Sequence, residues 1–228
     1  IRYSDWSSDV CSSDLEMERT MGSFATAGQL QQRPMPRGGG LFKSDWIQHW
    51  DKLPERFDAA VISWDMTFKE SATSDFVVGQ VWGRKDGAFY LVDQFRGRWD
   101  FVKSLEQFVA AARKYPRITR KLIEDKANGP AIISALKRKV TGIIPITPKE
   151  SKEARANAVT TLWEARNVYL PPPDRYPWVA QDFIPELLAF PSGAHDDTID
   201  AMSQALNDLN RHSGLHIDPT NLAYLAQR

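Results

Sequence analysis

Apolar positions recur along this chain with two periods. Residues 57–66, FDAAVISWDM, form a short apolar run rich in β-branched residues and bounded by polar ones. Runs of that length are buried strands more often than helices, so the stretch predicts a central strand that delivers Asp65 at its far end. Residues 75–83 (DFVVGQVWG) and 88–96 (AFYLVDQFR) follow, with Lys85-Asp86-Gly87 between them. Asp-Gly between two β-rich runs is a hairpin signal, so three consecutive antiparallel strands are expected.

Beyond these the period changes. Residues 100–115 carry Phe101, Leu105, Phe108, Val109 and Ala112 at helical spacing, closed by Pro116. A fourth strand, 118–124, ends at Glu124. Asn128-Gly129-Pro130 starts a helix to about Lys139, and GIIPIT supplies a fifth, short strand. Residues 151–167 predict one long amphipathic helix with Ala154, Ala158, Leu162 and Ala165 inside. Pro171 to Pro173 enforce an extended connection, residues 178–190 a helix, and residues 195–210 a last helix that opens on HDDTIDA. Trp64, Trp82, Trp99, Trp163 and Trp178 read as core and rim packing.

The flanks are less regular. Residues 1–20 contain SDWSSDVCSSDLE, a near-repeat of Ser-Asp units with no sustained period, and are set aside as low-complexity or artefactual. Residues 21–56 read as a linker or arm, whose Trp46, Ile47 and Trp50 at helical spacing dock it on the domain at 57–211. Residues 212–228 read as a tail. GGGLFKS in the arm lacks the Gly directly before Lys that a phosphate-binding loop requires, so no ATP site is expected.

Three separated segments each bring acids to an element boundary: Asp65; Glu124 and Asp125; and Asp196, Asp197 and Asp200. Gathered together they would hold hard divalent cations. Asp196 or Asp197 alone could complement the helix dipole. Asp200, however, shares a face with both, and repulsion among the three disfavours the helix unless a cation lies against it. The expected chemistry is metal-dependent phosphodiester hydrolysis by two ions roughly 3.5–4 Å apart. Asp65 is the candidate bridging ligand, and Glu124 and Asp197 complete the shells. His195 is a candidate donor to substrate or water, and Lys126 and Asn128 could touch a phosphate; a helix start and a plain loop are their ordinary alternatives.

Composition narrows this little. The 228 residues are 42% hydrophobic, as in a globular protein, with formal net charge zero. Twelve Lys and Arg residues from Arg113 to Arg155 make the middle of the chain basic, which suits a polyanionic substrate beside the acids, although most such residues are ordinary solvated helix faces. The one cysteine, Cys11, excludes an internal disulfide framework. No apolar stretch approaches the roughly 20 residues that span a bilayer, and the first residues lack a signal-peptide pattern.

Three antiparallel strands, then helix, strand, helix, strand and a late acidic helix, is the order of an α/β ribonuclease H-like mixed sheet. The motifs QQRP, SWDMTFKESATSDF, FYLVDQFRGRWDF, LIEDKANG, SKEARA and FPSGAHDDTIDA, in order between Gln31 and Asn210, resemble the C-terminal nuclease domain of the bacteriophage terminase large subunit. The resemblance implies an endonuclease that cuts concatemeric viral DNA in the host cell cytoplasm. It implies a site for two Mg2+ or Mn2+ ions at Asp65, Glu124 and Asp197, and leaves open Asp125 for Glu124, and Asp196 or Asp200 beside Asp197. The implied partners are double-stranded DNA, the portal protein, the terminase small subunit and further copies of the chain. The family's ATPase motor has no counterpart in these residues. Two alternatives stand beside this reading: another ribonuclease H-like nuclease such as a junction resolvase, and a non-catalytic fragment that binds DNA or portal.

Overall fold

The computed structural model describes residues 40–66, 76–125 and 129–212. Residues 1–39, the tail beyond His212, Lys126 and Asn128 lie outside the described residues. The described chain builds a seven-stranded mixed sheet in the order β1-β7-β4-β3-β2-β5-β6. Its strands are β1 (Gln48–His49), β2 (Ala59–Asp65), β3 (Val77–Lys85), β4 (Ala88–Gly97), β5 (Arg120–Glu124), β6 (Ile143–Ile146) and β7 (Val168–Leu170). β2, β3 and β4 pair antiparallel, whereas β2–β5, β5–β6, β4–β7 and β1–β7 pair parallel.

Local chemistry explains the predicted part. Asp86 and Gly87 both take positive φ, 49° and 82°, the backbone a two-residue hairpin needs to match strand twist. All seven residues of β2 are buried, as a central strand covered on both faces requires. Gly79 permits one close approach: a Cβ there would stand 2.5 Å from the Trp64 ring, and no residue with a side chain fits without moving that ring.

Helices cover the two faces. α1 (Phe101–Lys114) is capped by Asp100, which accepts from the Lys103 N–H at 2.7 Å. With α2 (Gly129–Lys137) it packs on the Trp64 side, where Phe108, Ile123, Ile132 and Leu136 join one core. Inside α1 Ser104, Phe108 and Ala111 are buried and Leu105 and Val109 pack against the core, whereas Phe101 is 38% exposed. The opposite face carries the last helix, α6 (Asp197–Arg211), with α3 (Lys152–Asn157), α4 (Thr160–Glu164) and α5 (Ile184–Ala189) around it. α6 is held by donors rising from the sheet to its carbonyls: Ser63 to Ala201 (2.8 Å), Gln80 to Thr198 (3.1 Å) and Arg84 to Leu209 (3.0 Å).

Several expectations are corrected. The helix expected over 151–167 is two short ones, and the turn between them coincides with the Thr160 hydroxyl, which donates to the Asn157 carbonyl at 2.8 Å. Its inward side is also different: Arg155, Ala156, Val159 and Trp163 are buried, while Ala154, Ala158 and Ala165 are exposed. The helix expected over 178–190 begins as a π-helical turn, Val179–Phe183, and becomes α5 where Pro185, lacking an N–H, interrupts the ladder. Trp46 and Trp50 do dock, both buried, but after a single 3₁₀ turn at Ser44–Trp46 the chain is extended and forms edge strand β1. Of the tryptophans read as packing, Trp64, Trp82 and Trp163 are fully buried, and Trp99 and Trp178 half-buried.

Candidate active site

The parallel register of β2 and β5 pairs Ser63 with Leu122 and Trp64 with Ile123, so Asp65 and Glu124 come next, at the carboxyl ends of neighbouring strands. Side chains alternate along a strand. Ser63 and Arg120 both point at α6, the latter to Asp208 at 2.6 Å, and Asp65 and Glu124 therefore share that side. The crevice beyond the carboxyl ends of parallel strands is where open α/β sheets take ligands.

α6 begins over this edge. Asp197, its first residue, and Asp200 are each 4% exposed. Asp197 Oδ2 accepts from the N–H of Phe76 at 3.2 Å. Because Val78 is the partner of Asp65, Phe76 stands just beyond Asp65, immediately before β3. Asp196 occupies the N-cap position without capping through its side chain. Glu186 of α5 caps instead, accepting from the Thr198 N–H at 2.6 Å and hydroxyl at 2.8 Å. Arg96 pairs with Glu186 at 3.2 Å and lies 3.4 Å over the Phe76 ring. His195 packs edge-on against the same ring, 5.0 Å between centroids.

The cation that the acids of α6 demand is present as side chains. Lys152 Nζ lies 2.7 Å from Asp196 Oδ1 and 2.6 Å from Asp200 Oδ2. Arg155 gives Nη2 to Asp200 Oδ1 at 2.9 Å and Nη1 to Glu124 Oε2 at 3.0 Å. Burial alone would lower the Lys152 ammonium, but hydrogen bonds to Asp196 and Asp200 outweigh it and hold the group above its ordinary value. Burial pushes the Asp200 carboxyl up, with Asp196 adding to that push, and Lys152 and Arg155 only partly offset it. Both oxygens of Asp200 thus have cationic partners. Asp125 extends the β5–β6 ladder through its N–H to the Ile146 carbonyl at 2.7 Å, and its buried Oδ1 has no hydrogen-bond partner.

Asp65, Glu124 and Asp197 therefore share one edge of the sheet, and all three are hard oxygen donors of the kind that suit magnesium or manganese. Among the described residues, no group of three or more His, Cys, Asp or Glu side chains stands close enough to hold a metal ion. The pairwise juxtaposition of Asp65 with Glu124 is the nearest approach that the strand register supplies. Lys152, Arg155 and Glu186 were not singled out by the sequence as site residues. The usable signal was spacing: Lys152 and Arg155 stand three apart on one helix, matching Asp196 and Asp200, four apart on another.

Comparison with known proteins agrees with this architecture. A family profile described as the terminase RNaseH-like domain matches residues 62–209. No curated protein matches the chain. The large terminase of a thermophilic bacteriophage, solved in complex with ADP, aligns at TM-score 0.66 and 12% identity over 88% of this chain and 52% of that one. The large terminase nuclease of thermophilic phage G20c with bound magnesium aligns at TM-score 0.56 and 16% identity, over 75% of this chain and 98% of the nuclease. The same nuclease with bound zinc aligns at TM-score 0.52, 16% identity and coverages of 73% and 97%. The chain spans about half the length of the ADP-bound large terminase. With a ribonuclease H-like sheet and a family match over most of its described residues, the chain belongs to the terminase RNaseH-like domain family.

Proposed function

We propose that this chain is a metal-dependent endonuclease for double-stranded DNA, the cutting domain of a phage packaging terminase. Its substrate would be concatemeric viral DNA in the host cell cytoplasm, and its partners the portal protein, the terminase small subunit and further copies of itself. The register that sets Asp65 beside Glu124, under the first turn of α6, carries the reading. The magnesium- and zinc-bound nucleases of phage G20c support a divalent cation. Among the described residues no helix is long and apolar enough to cross a membrane.

In this reading Asp65, Glu124 and Asp197 would hold two Mg2+ or Mn2+ ions. When bound, such a pair would supply an activated water and charge stabilisation for the leaving oxygen. The chain's own contribution is orientation. Asp65 ends a fully buried strand, the Phe76 N–H fixes Asp197, and Arg155 fixes Glu124. Asp196 and Asp200 serve chiefly to anchor Lys152 and Arg155, whose charges also favour a polyanion. The test is nicking of supercoiled plasmid with magnesium or manganese by the intact chain and by Asp65→Ala. Activity confined to the unmodified protein is expected; equal activity in both would end this assignment.

A further inference from the structure

A second feature adjoins the acids. Between β6 and the carboxyl-terminal half of α6 lies a cleft of about 500 Å3, whose walls include Arg120, Lys149, Arg155, Asn207, Arg211 and His212. The four Lys and Arg side chains there face two acids, Glu150 and Asp208. Arg120 is matched by Asp208 at 2.6 Å, and His212 also approaches Asp208, at 3.4 Å. Lys149 and Arg211 are exposed and enter no ion pair among the described residues. The fold therefore leaves two positive charges in this cleft facing solvent, where they would attract an anionic ligand.

One end of the cleft meets the candidate site. Arg155, on its wall, holds Glu124, and Gln204, also on its wall, donates to the Ser63 hydroxyl at 2.9 Å, two residues before Asp65. Both are more than nine-tenths buried, and Arg155 Nε and Gln204 Oε1 have no hydrogen-bond partner. A chain of phosphodiesters, one charge per nucleotide, matches cations spread along a groove that leads away from a cutting site.

We propose that this cleft carries the backbone of one strand of the nucleic-acid substrate away from the carboxylate edge, with Lys149 and Arg211 contacting phosphates. The substrate class rests on the nuclease reading. The test is binding of a fluorescently labelled DNA duplex to the full chain without divalent ions, by anisotropy across a salt series. Lys149→Ala with Arg211→Ala is expected to weaken binding about tenfold and to flatten the dependence of log affinity on log salt by about two, since each duplex phosphate contact contributes roughly 0.9. Lys103→Ala with Arg113→Ala removes the same charge from α1, on the opposite face, and is expected to change affinity less than about twofold. No binding by the unmodified chain, an unchanged slope in the cleft variant, or an equal loss in both variants would overturn the proposal. The two readings separate cleanly. A chain that binds DNA through the cleft but never nicks plasmid leaves the cleft standing without the nuclease, and a nicking chain indifferent to the cleft variant does the reverse.

Discussion

Arg155 donates to Glu124 across 31 positions of sequence, Nη1 to Oε2 at 3.0 Å, and this contact ties helix α3 to the end of strand β5. The same guanidinium reaches Asp200 at 2.9 Å, so one side chain links three elements around the acid edge. Asp200 is 4% exposed and Arg155 10% exposed at the side chain. Removing Arg155 would leave Asp200 with one of its two cationic partners, Lys152.

Arg155→Ala is accordingly expected to destabilise the protein by about 1.5–3 kcal/mol, the usual worth of a charge-assisted hydrogen bond, because Asp200 keeps Lys152 at 2.6 Å. Arg155→Lys should recover only part of it, because an ammonium does not span two carboxylates with the fixed fork of a guanidinium. Urea denaturation measures both. A loss below about 1 kcal/mol for the alanine variant would show that the bridge contributes no more than a surface pair.

Divalent cations are expected to raise the melting temperature progressively with concentration, since a ligand that binds only the folded state stabilises it by mass action. Asp65→Asn should blunt that response, because a neutral amide is a far weaker ligand for a hard cation than a carboxylate. A flat manganese titration of the unmodified protein to millimolar concentration would count against Asp65 as a ligand.

Gly79 links packing to the site. A Cβ there would meet the Trp64 ring at 2.5 Å, and Trp64 precedes Asp65 on a strand with no solvent-facing residue. Gly79→Ala is expected to cost about 1–3 kcal/mol by overpacking, and to depress plasmid nicking beyond what the loss of folded protein explains. Nicking that simply tracks the folded fraction would separate the ring's position from the site.

The β3–β4 hairpin supplies a pH dependence away from the acids. Burial pushes the Asp58 carboxyl up, but the Asp86 N–H at 2.9 Å and the Lys85 ammonium at 3.0 Å outweigh it and hold the group below its ordinary value. A carboxyl depressed in the folded state contributes stability that is fully present above its unfolded value, near 3.8, and is lost as pH falls through the folded one. Asp58→Asn should therefore lower stability at neutral pH by a small, salt-sensitive amount, and the gap from the unmodified chain should close in strong acid. Thermal melts across a pH series measure it; a gap constant down to about pH 2 would remove Asp58 from the account.

What was legible in the sequence was local. The apolar run ending at Asp65 declared a buried strand, Asp86-Gly87 declared the hairpin, and Asp100 and Pro116 bounded α1, because each depends on residues only a few positions apart. The order of those elements is that of a ribonuclease H-like sheet, and the pairing of β2 with β5 sets Asp65 and Glu124 side by side. Strands β1 and β7 were not legible: with two and three residues they carry no period, and they exist because each pairs with the other and β7 with β4. Nor was the inward side of residues 151–167, where an apparent alanine stripe lies outward and Arg155 lies inward.

The sequence by itself determined the elements long enough to carry a period, their order along the chain and which acids stand at their ends. Only the tertiary structure decided that Lys152 and Arg155 are the counter-ions of α6, and that a basic cleft continues from them. The physical reason is range: periodicity records which side of an element is apolar, whereas a charge partner 44 or 45 residues away is selected only when packing brings the two helices together.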